Sequence, residues 1–170
     1  MNIKVTEANN SEKIAQCHNI RLEVFVEEQK VPVEIEIDDL DEISIHALAY
    51  IDGIAVATGR LIPSEEKGKI GRMAVIRKYR RTGIGGEVLS FLEKKAKSIG
   101  ISYISLHAQE YVKNFYLSHG YKQIGESFLE AEIDHISLSR WADLILVIPT
   151  TANFMSRLSL GKADDLATTV

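Results

Sequence analysis

The sequence of 170 residues is 45% hydrophobic and 26% charged, with a formal net charge of −4. That length suits one domain with a substantial core and is short for two, and the charge gives no overall basic field to draw nucleic acid or anionic lipid. The lone cysteine, Cys17, excludes an intramolecular disulfide and suits a reducing cytoplasm, and the start Met-Asn-Ile-Lys-Val lacks the basic-then-apolar pattern of a secretion signal.

Residues 3–6 alternate and predict a first strand. Asn10 or Ser11 is placed to cap a helix whose apolar positions Ile14, Cys17, Ile20 or Arg21, and Val24 keep the helical period. Cys17 in that pattern reads as a small buried hydrophobe. Phe25-Val-Glu-Glu-Gln29 continues or restarts the helix until Val31-Pro32 stops it. An acidic segment follows, carrying Glu34, Glu36, Asp38, Asp39, Asp41 and Glu42. It reads either as a solvated loop or as the border of a site that attracts a cation. Strand-like runs at 44–51 and 54–62 flank Asp52-Gly53, a pair that signals a tight hairpin. A polar turn at 64–68 leads to a further strand at 69–75. Arg60 and Arg72 lie on adjacent predicted strands, and an inward arginine needs a carboxylate or a ligand anion.

After that strand comes the turn that organises the chain. Arg77, Lys78, Arg80 and Arg81 precede Gly83, Gly85 and Gly86, and an amphipathic helix begins there. Ile84, Val88, Leu92, Ala96 and Ile99 form its apolar side, and Gly100 is a natural stop. Residues 101–108 then read as a strand, 111–119 as a short helix ended by Gly120, and 121–128 with 133–140 as a closing antiparallel pair. The strand–helix–strand unit favours parallel pairing, so the predicted class is α/β with a mixed central sheet flanked by helices. Residues 141–148 are apolar but interrupted by Asp143 and too short to span a bilayer. The tail beyond them reads as loosely ordered.

Glycines let a backbone approach a ligand closely, and helix N-terminal amides at the positive end of the dipole suit an anion. With four cations beside them, the simplest ligand is a phosphate or pyrophosphate. A Walker loop would end Gly-Lys-Ser/Thr, but this turn ends Gly-Gly-Glu. A dinucleotide fingerprint would need glycine at position 88, which is Val, and an acid in the later segment Tyr103-Ile-Ser-Leu106, which has none. The remaining design fits: Arg80-x-x-Gly83-x-Gly85 between strand and helix resembles the pyrophosphate-binding motif of the GNAT N-acetyltransferases. The likeness extends over residues 20–140. Phe25-Val-Glu-Glu-Gln29, Asp38-Asp39, His46, Leu106-His-Ala-Gln109, Asn114-Phe-Tyr116, His119-Gly-Tyr121 and the stretch from Glu130 to His135 look like the ElaA-type branch.

That resemblance implies a GNAT domain over 1–140, with 141–170 an extension that is partly apolar and a candidate for contact with a second copy. It implies acetyl-coenzyme A as cofactor, a small-molecule amine as partner, no metal, and no role for nucleic acid or membrane. Met73, Ala74 and Val75 would pair with the pantetheine arm, and a backbone N–H there would polarise the thioester. Amides of Arg81, Thr82, Gly83, Ile84, Gly85 and Gly86 would cradle the pyrophosphate, with Arg80 adding charge. Asn114 and Phe115 would flank the coenzyme. Tyr116 would be the general acid, with an ordinary phenol pKa near 10. His107 is the candidate base, and Glu28, Glu34, Glu36 and His46 are candidate substrate contacts or bases. A non-catalytic acyl-coenzyme A-binding or sensing domain is the alternative, and a phosphate-dependent module of another class is the third reading.

Overall fold

Asp52 and Gly53 both adopt positive φ, 49° and 86°, as the mirror-image turns of tight hairpins require, and they join β2 (Ile45–Ile51) to β3 (Ile54–Ser64). A second two-residue connection, Glu65-Glu66, has Glu65 at φ 47° and returns the chain into β4 (Lys67–Val75). With β1 (Ile3–Glu7) these strands form an antiparallel meander in the order β1-β2-β3-β4. The computed structural model describes residues 2–124 and 144–148, the latter by their backbone alone. The chain divides into two compact units, Met1–Ser102 and Tyr103–Val170.

In the first unit, Ala47, Leu48 and Ala49 are all fully buried although consecutive strand residues point to opposite faces, so both faces of the sheet are covered. Helices α1 (Ser11–Arg21) and α3 (Ile84–Ser98) pack on β2 and β3. Asn10 caps α1, its Oδ1 accepting the Lys13 N–H at 2.9 Å. The helix widens without a break into a π-helical stretch, Leu22–Glu28, and closes where the Val31 N–H donates to the Phe25 carbonyl at 2.9 Å. Pro32 follows, and a single-turn helix α2 (Val33–Glu36) and a 3₁₀ turn (Asp39–Asp41) carry the acidic segment.

Along α3, Ile84, Val88, Leu89, Leu92 and Ala96 are buried, the i, i+4 stripe that the sequence predicts with Leu89 added. Ile99 does not belong to it: it caps the helix and is 49% exposed. Gly100 turns the chain at φ 86°, its N–H donating to Lys97 O and the Ile101 N–H to Ala96 O. That is the paired reversal which satisfies a helix's last carbonyls, and Ile101 is buried beyond it.

The second unit contains β5 (Tyr103–Ala108), a 3₁₀ turn (Glu110–Val112), α4 (Lys113–Ser118), β6 (Lys122–Ile124) and β7 (Leu144–Ile148). β7 runs antiparallel to both β5 and β6, with Leu106 opposite Leu146 and Gln123 opposite the same residue. The described partner of β6 is therefore 144–148 and not 133–140. That stretch, with Glu130 and His135, lies outside the described residues. Among the described residues no helix is long and apolar enough to cross a membrane.

Candidate functional site

β4 ends at Val75, and the Ile76 N–H still reaches the Val56 carbonyl at 3.0 Å. A 3₁₀ turn over Arg77–Tyr79 follows, closed by the Thr82 hydroxyl donating to Tyr79 O at 2.7 Å. Arg81 and Gly83 then take positive φ, 63° and 87°, so that Gly83 becomes the N-cap of α3. The helical ladder begins with the Gly86 and Glu87 N–H groups donating to Gly83 O. The N–H groups of Gly83, Ile84 and Gly85 lie ahead of it, the position from which a helix start meets an anion. Ile84 is buried and pins the helix, whereas Arg77, Lys78, Arg80, Arg81 and Gly83 are exposed. The predicted phosphate turn is thus an open surface with its cations around it, and Gly85 and Gly86 bring no side chain to fill it.

Two of the expected site residues pair with each other here. Arg80 grips Glu28 with both terminal nitrogens, at 2.7 and 2.6 Å, while its Nε donates to the Val75 carbonyl at 3.0 Å. Hydrogen bonding from Arg80 holds the Glu28 carboxyl below its usual range.

Just before Met73, Ala74 and Val75, β4 bulges. Thr58 faces Ala74 and Arg60 faces Gly71, which leaves Gly59 against both Arg72 and Met73. Arg72 sits at φ 52°, a left-handed conformation that costs a non-glycine residue roughly 1–2 kcal/mol. Gly59 gives close packing opposite it: a Cβ there would lie 2.5 Å from Met73 Sδ and 2.9 Å from Val88 Cγ1 and Leu92 Cδ1, so those side chains would have to shift.

Beside the bulge lies a buried charge network. Arg21, fully buried, holds Glu36 through Nε at 2.6 Å and Asp41 through Nη1 at 2.8 Å, and its Nη2 donates to the Glu36 carbonyl. Arg60 bonds Asp38 at 2.5 and 3.1 Å and Asp41 at 2.7 Å. Arg72 reaches the Ile35 carbonyl at 2.7 Å, the Glu36 carboxylate at 3.1 Å and Asp38 at 3.2 Å. Three guanidiniums face three carboxylates, and this local neutrality makes the burial tolerable. Desolvation lifts the Glu36 carboxyl above its usual range against the pull of Arg72 and Arg21.

These contacts correct two expectations about the acidic segment. It is only in part a solvated loop and only in part a row of open carboxylates, because Glu36, Asp38 and Asp41 turn inward to arginines while Glu34, Asp39 and Glu42 stay exposed. Glu36, 1% exposed, is no base open to a substrate. His46 is corrected likewise. It is buried, its Nε2 lies 3.0 Å from the Asp41 carbonyl, and burial keeps its pKa below the ordinary value. Glu34 remains exposed, and so do Val33, Ile35, Ile37, Leu40 and Ile43. The segment thus turns aliphatic side chains outward and half its acids inward.

In the second unit, His107 is half-buried on β5 and pairs in register with Ile145. Asn114 is exposed on α4, and Phe115 is half-buried. Tyr116 is buried, its ring edge-on to Phe115 at 4.9 Å and to Tyr121 at 5.7 Å. Burial pushes its phenol well above the ordinary pKa on which the sequence expectation rested, which makes it a weaker proton donor than that expectation assumed.

The fold is that of the acyl-coenzyme A N-acyltransferases, α/β with a mixed sheet flanked by helices. The chain belongs to the GNAT acetyltransferase domain family, whose model matches residues 7–140. Within it the chain is related to ElaA: it is 32% identical to protein ElaA of Escherichia coli over 71% of this chain and 82% of that one. It is also 37% identical to the uncharacterised N-acetyltransferase YjcF of Bacillus subtilis, over 81% of this chain and 99% of that one. The crystal structure of Escherichia coli ElaA superposes with a TM-score of 0.72 at 22% identity, covering 86% of this chain and 99% of that one.

Sequence reasoning missed the bulge at Arg72, the glycine opposite it, and the roles of Arg21 and Asp41. One signal was present: an arginine on the apolar stripe of the first helix needs a buried acid.

Proposed function

We propose that the chain transfers an acetyl group from acetyl-coenzyme A to the primary amine of a small molecule, by direct attack in a ternary complex. The observation that carries this reading is the open turn at Arg80–Gly86, with helix-start amides ahead of the ladder and four cations beside them, in a chain of this family. Acetyl-coenzyme A would supply an acyl group already activated as a thioester. Amides of Arg81 to Gly85 hold its pyrophosphate, the Gly86 N–H that the sequence also offered being taken by Gly83 O, and Arg80 exchanges Glu28 for a phosphate oxygen. The backbone of Met73, Ala74 and Val75 receives the pantetheine arm, and an amide at the bulge polarises the carbonyl. Asn114 and Phe115 flank the coenzyme. Tyr116 supplies the proton for the departing sulfur, working against the burial that lifts its phenol above the ordinary range and makes it a weaker acid. With His46 and Glu36 committed to the network, His107 is the histidine candidate for base, beside Glu28 and Glu34.

On the acceptor side, exposed Val33, Ile35, Ile37, Leu40 and Ile43 interleave with exposed Glu34, Asp39 and Glu42, which supports a cationic amine carried on an apolar body. Arg72 ties this segment to β4 directly before Met73.

The test is isothermal titration with acetyl-coenzyme A, followed by thiol release over an amine panel. Binding with turnover is expected, and Tyr116→Phe should keep the affinity while lowering kcat about 10²-fold or more. Absence of binding by a folded sample sinks the reading. Binding without turnover on any amine transfers the case to a sensing domain.

A further inference from the structure

The bulge in β4 and the buried network meet at one residue, Arg72. Its left-handed backbone is unfavourable by itself and persists only where surrounding contacts over-determine it. Those contacts come from the acidic segment: Nε lies 3.2 Å from the Glu36 carbonyl and 3.1 Å from its carboxylate, and Nη2 lies 2.7 Å from the Ile35 carbonyl and 3.2 Å from Asp38. Glu36 cannot drift, because buried Arg21 holds both its side chain and its backbone. From the other strand, Gly59 leaves the room that Met73 fills. Three separate elements therefore fix one irregular step of β4. The extra residue takes backbone groups at Arg72 and Met73 out of the ladder with β3.

We propose that Arg72, locked by Glu36, is a positioning residue: it fixes the bulge so that the backbone N–H released there points at the thioester carbonyl of the acyl donor. This rests on the acetyl-transfer reading above. The network then does more than hold the loop in place. It converts a pair of buried side chains into the aim of a main-chain dipole, which stabilises developing charge only if it is already oriented before reaction. Arg72 touches neither donor nor acceptor in this role.

The experiment compares the full chain with Arg72→Lys, which keeps the charge and loses the fork, and with Glu36→Gln, which keeps the shape and loses the charge. Readouts are thermal unfolding, affinity for acetyl-coenzyme A, the ¹³C resonance of carbonyl-labelled acetyl-coenzyme A when bound, and kcat with KM. In the wild type the bound carbonyl resonance should move downfield of the free one. In a folded variant that displacement should fall by more than half and kcat should drop about 10²-fold, the usual loss for one such donor, with affinity within about threefold. A folded variant with wild-type displacement and kcat overturns the positioning role and leaves acetyl transfer standing. No binding or no displacement in the wild type overturns the acetyl-transfer reading, and the proposal with it. If neither variant folds, the network is purely architectural and the proposal fails.

Discussion

Asp41 offers the most quantitative test of the buried network. It accepts from Arg21 Nη1 at 2.8 Å and Arg60 Nη1 at 2.7 Å, and its side chain is 9% exposed. Burial alone would raise its pKa, but the hydrogen bonds and charges of the two arginines outweigh burial and hold it at about 2, against 3.8 ordinarily. That gap corresponds to about 2 kcal/mol of folding stability. Because the folded pKa is depressed, this stability is fully present above the ordinary value and is lost as pH falls through the folded one. Asp41→Asn removes this contribution at neutral pH, while Arg21 keeps Glu36 and Arg60 keeps Asp38, so the total cost should stay at about 2–3 kcal/mol. The diagnostic part is the pH dependence. In urea unfolding at pH 7, 4 and 3, the gap between wild type and variant should be nearly constant down to pH 4 and about 1 kcal/mol smaller at pH 3. A gap that stays constant to pH 3 would show that the arginines do not hold the carboxyl down, and the account of the network would be wrong.

Gly59→Ala should destabilise by about 1–3 kcal/mol through overpacking against Met73, Val88 and Leu92, lowering Tm by roughly 2–10 °C; an unchanged Tm would mean that the bulge has slack. Burial and the neighbouring Arg21 and Arg60 disfavour protonated His46, so its contribution is present above the ordinary value of 6.5 and erodes as pH drops below it. His46→Gln should therefore flatten the stability profile between pH 7 and 5 in the same unfolding assay. Glu28→Gln removes the Glu28 carboxylate that competes for Arg80 and should tighten acetyl-coenzyme A binding by about two- to fivefold, the range of an exposed ion pair, as read by titration. Across a homologous series of alkylamines, kcat/KM should rise by up to about fourfold per methylene, given about 0.8 kcal/mol for each one buried, and Ile35→Ser should blunt the rise; a preference for polyamines would refute the apolar acceptor.

Local signals carried much of the fold. Asp52-Gly53 marked the hairpin, Asn10 the start of α1, Gly100 the end of α3, and the turn at Arg80–Gly86 combined composition, order and helix start in one short run. The interior of the acidic segment was not legible. Alternating acids and aliphatics give no hint of which face turns inward, and the deciding partners, Arg21, Arg60 and Arg72, come from three other elements. The same holds for Ile99, whose apolar character suited the stripe although the helix ended one residue earlier. The run at 141–148 suited either an extension of the last strand or the cover of an apolar edge, and its pairing through 144–148 with β5 and β6 was not legible because those partners are set by tertiary structure. The roles of His107, Asn114 and Tyr116 came from resemblance, and burial of the phenol was invisible without coordinates.

The segment at 33–43 divides its residues by direction. Its inward carboxylates are committed to the scaffold, while its outward aliphatics keep more than a third of their surface exposed. If the proposed acceptor site lies here, substitutions on the outer side should retune acceptor preference while the interior stays intact. Descendants of this gene have a short, structurally tolerant stretch in which new specificities can be sampled one residue at a time.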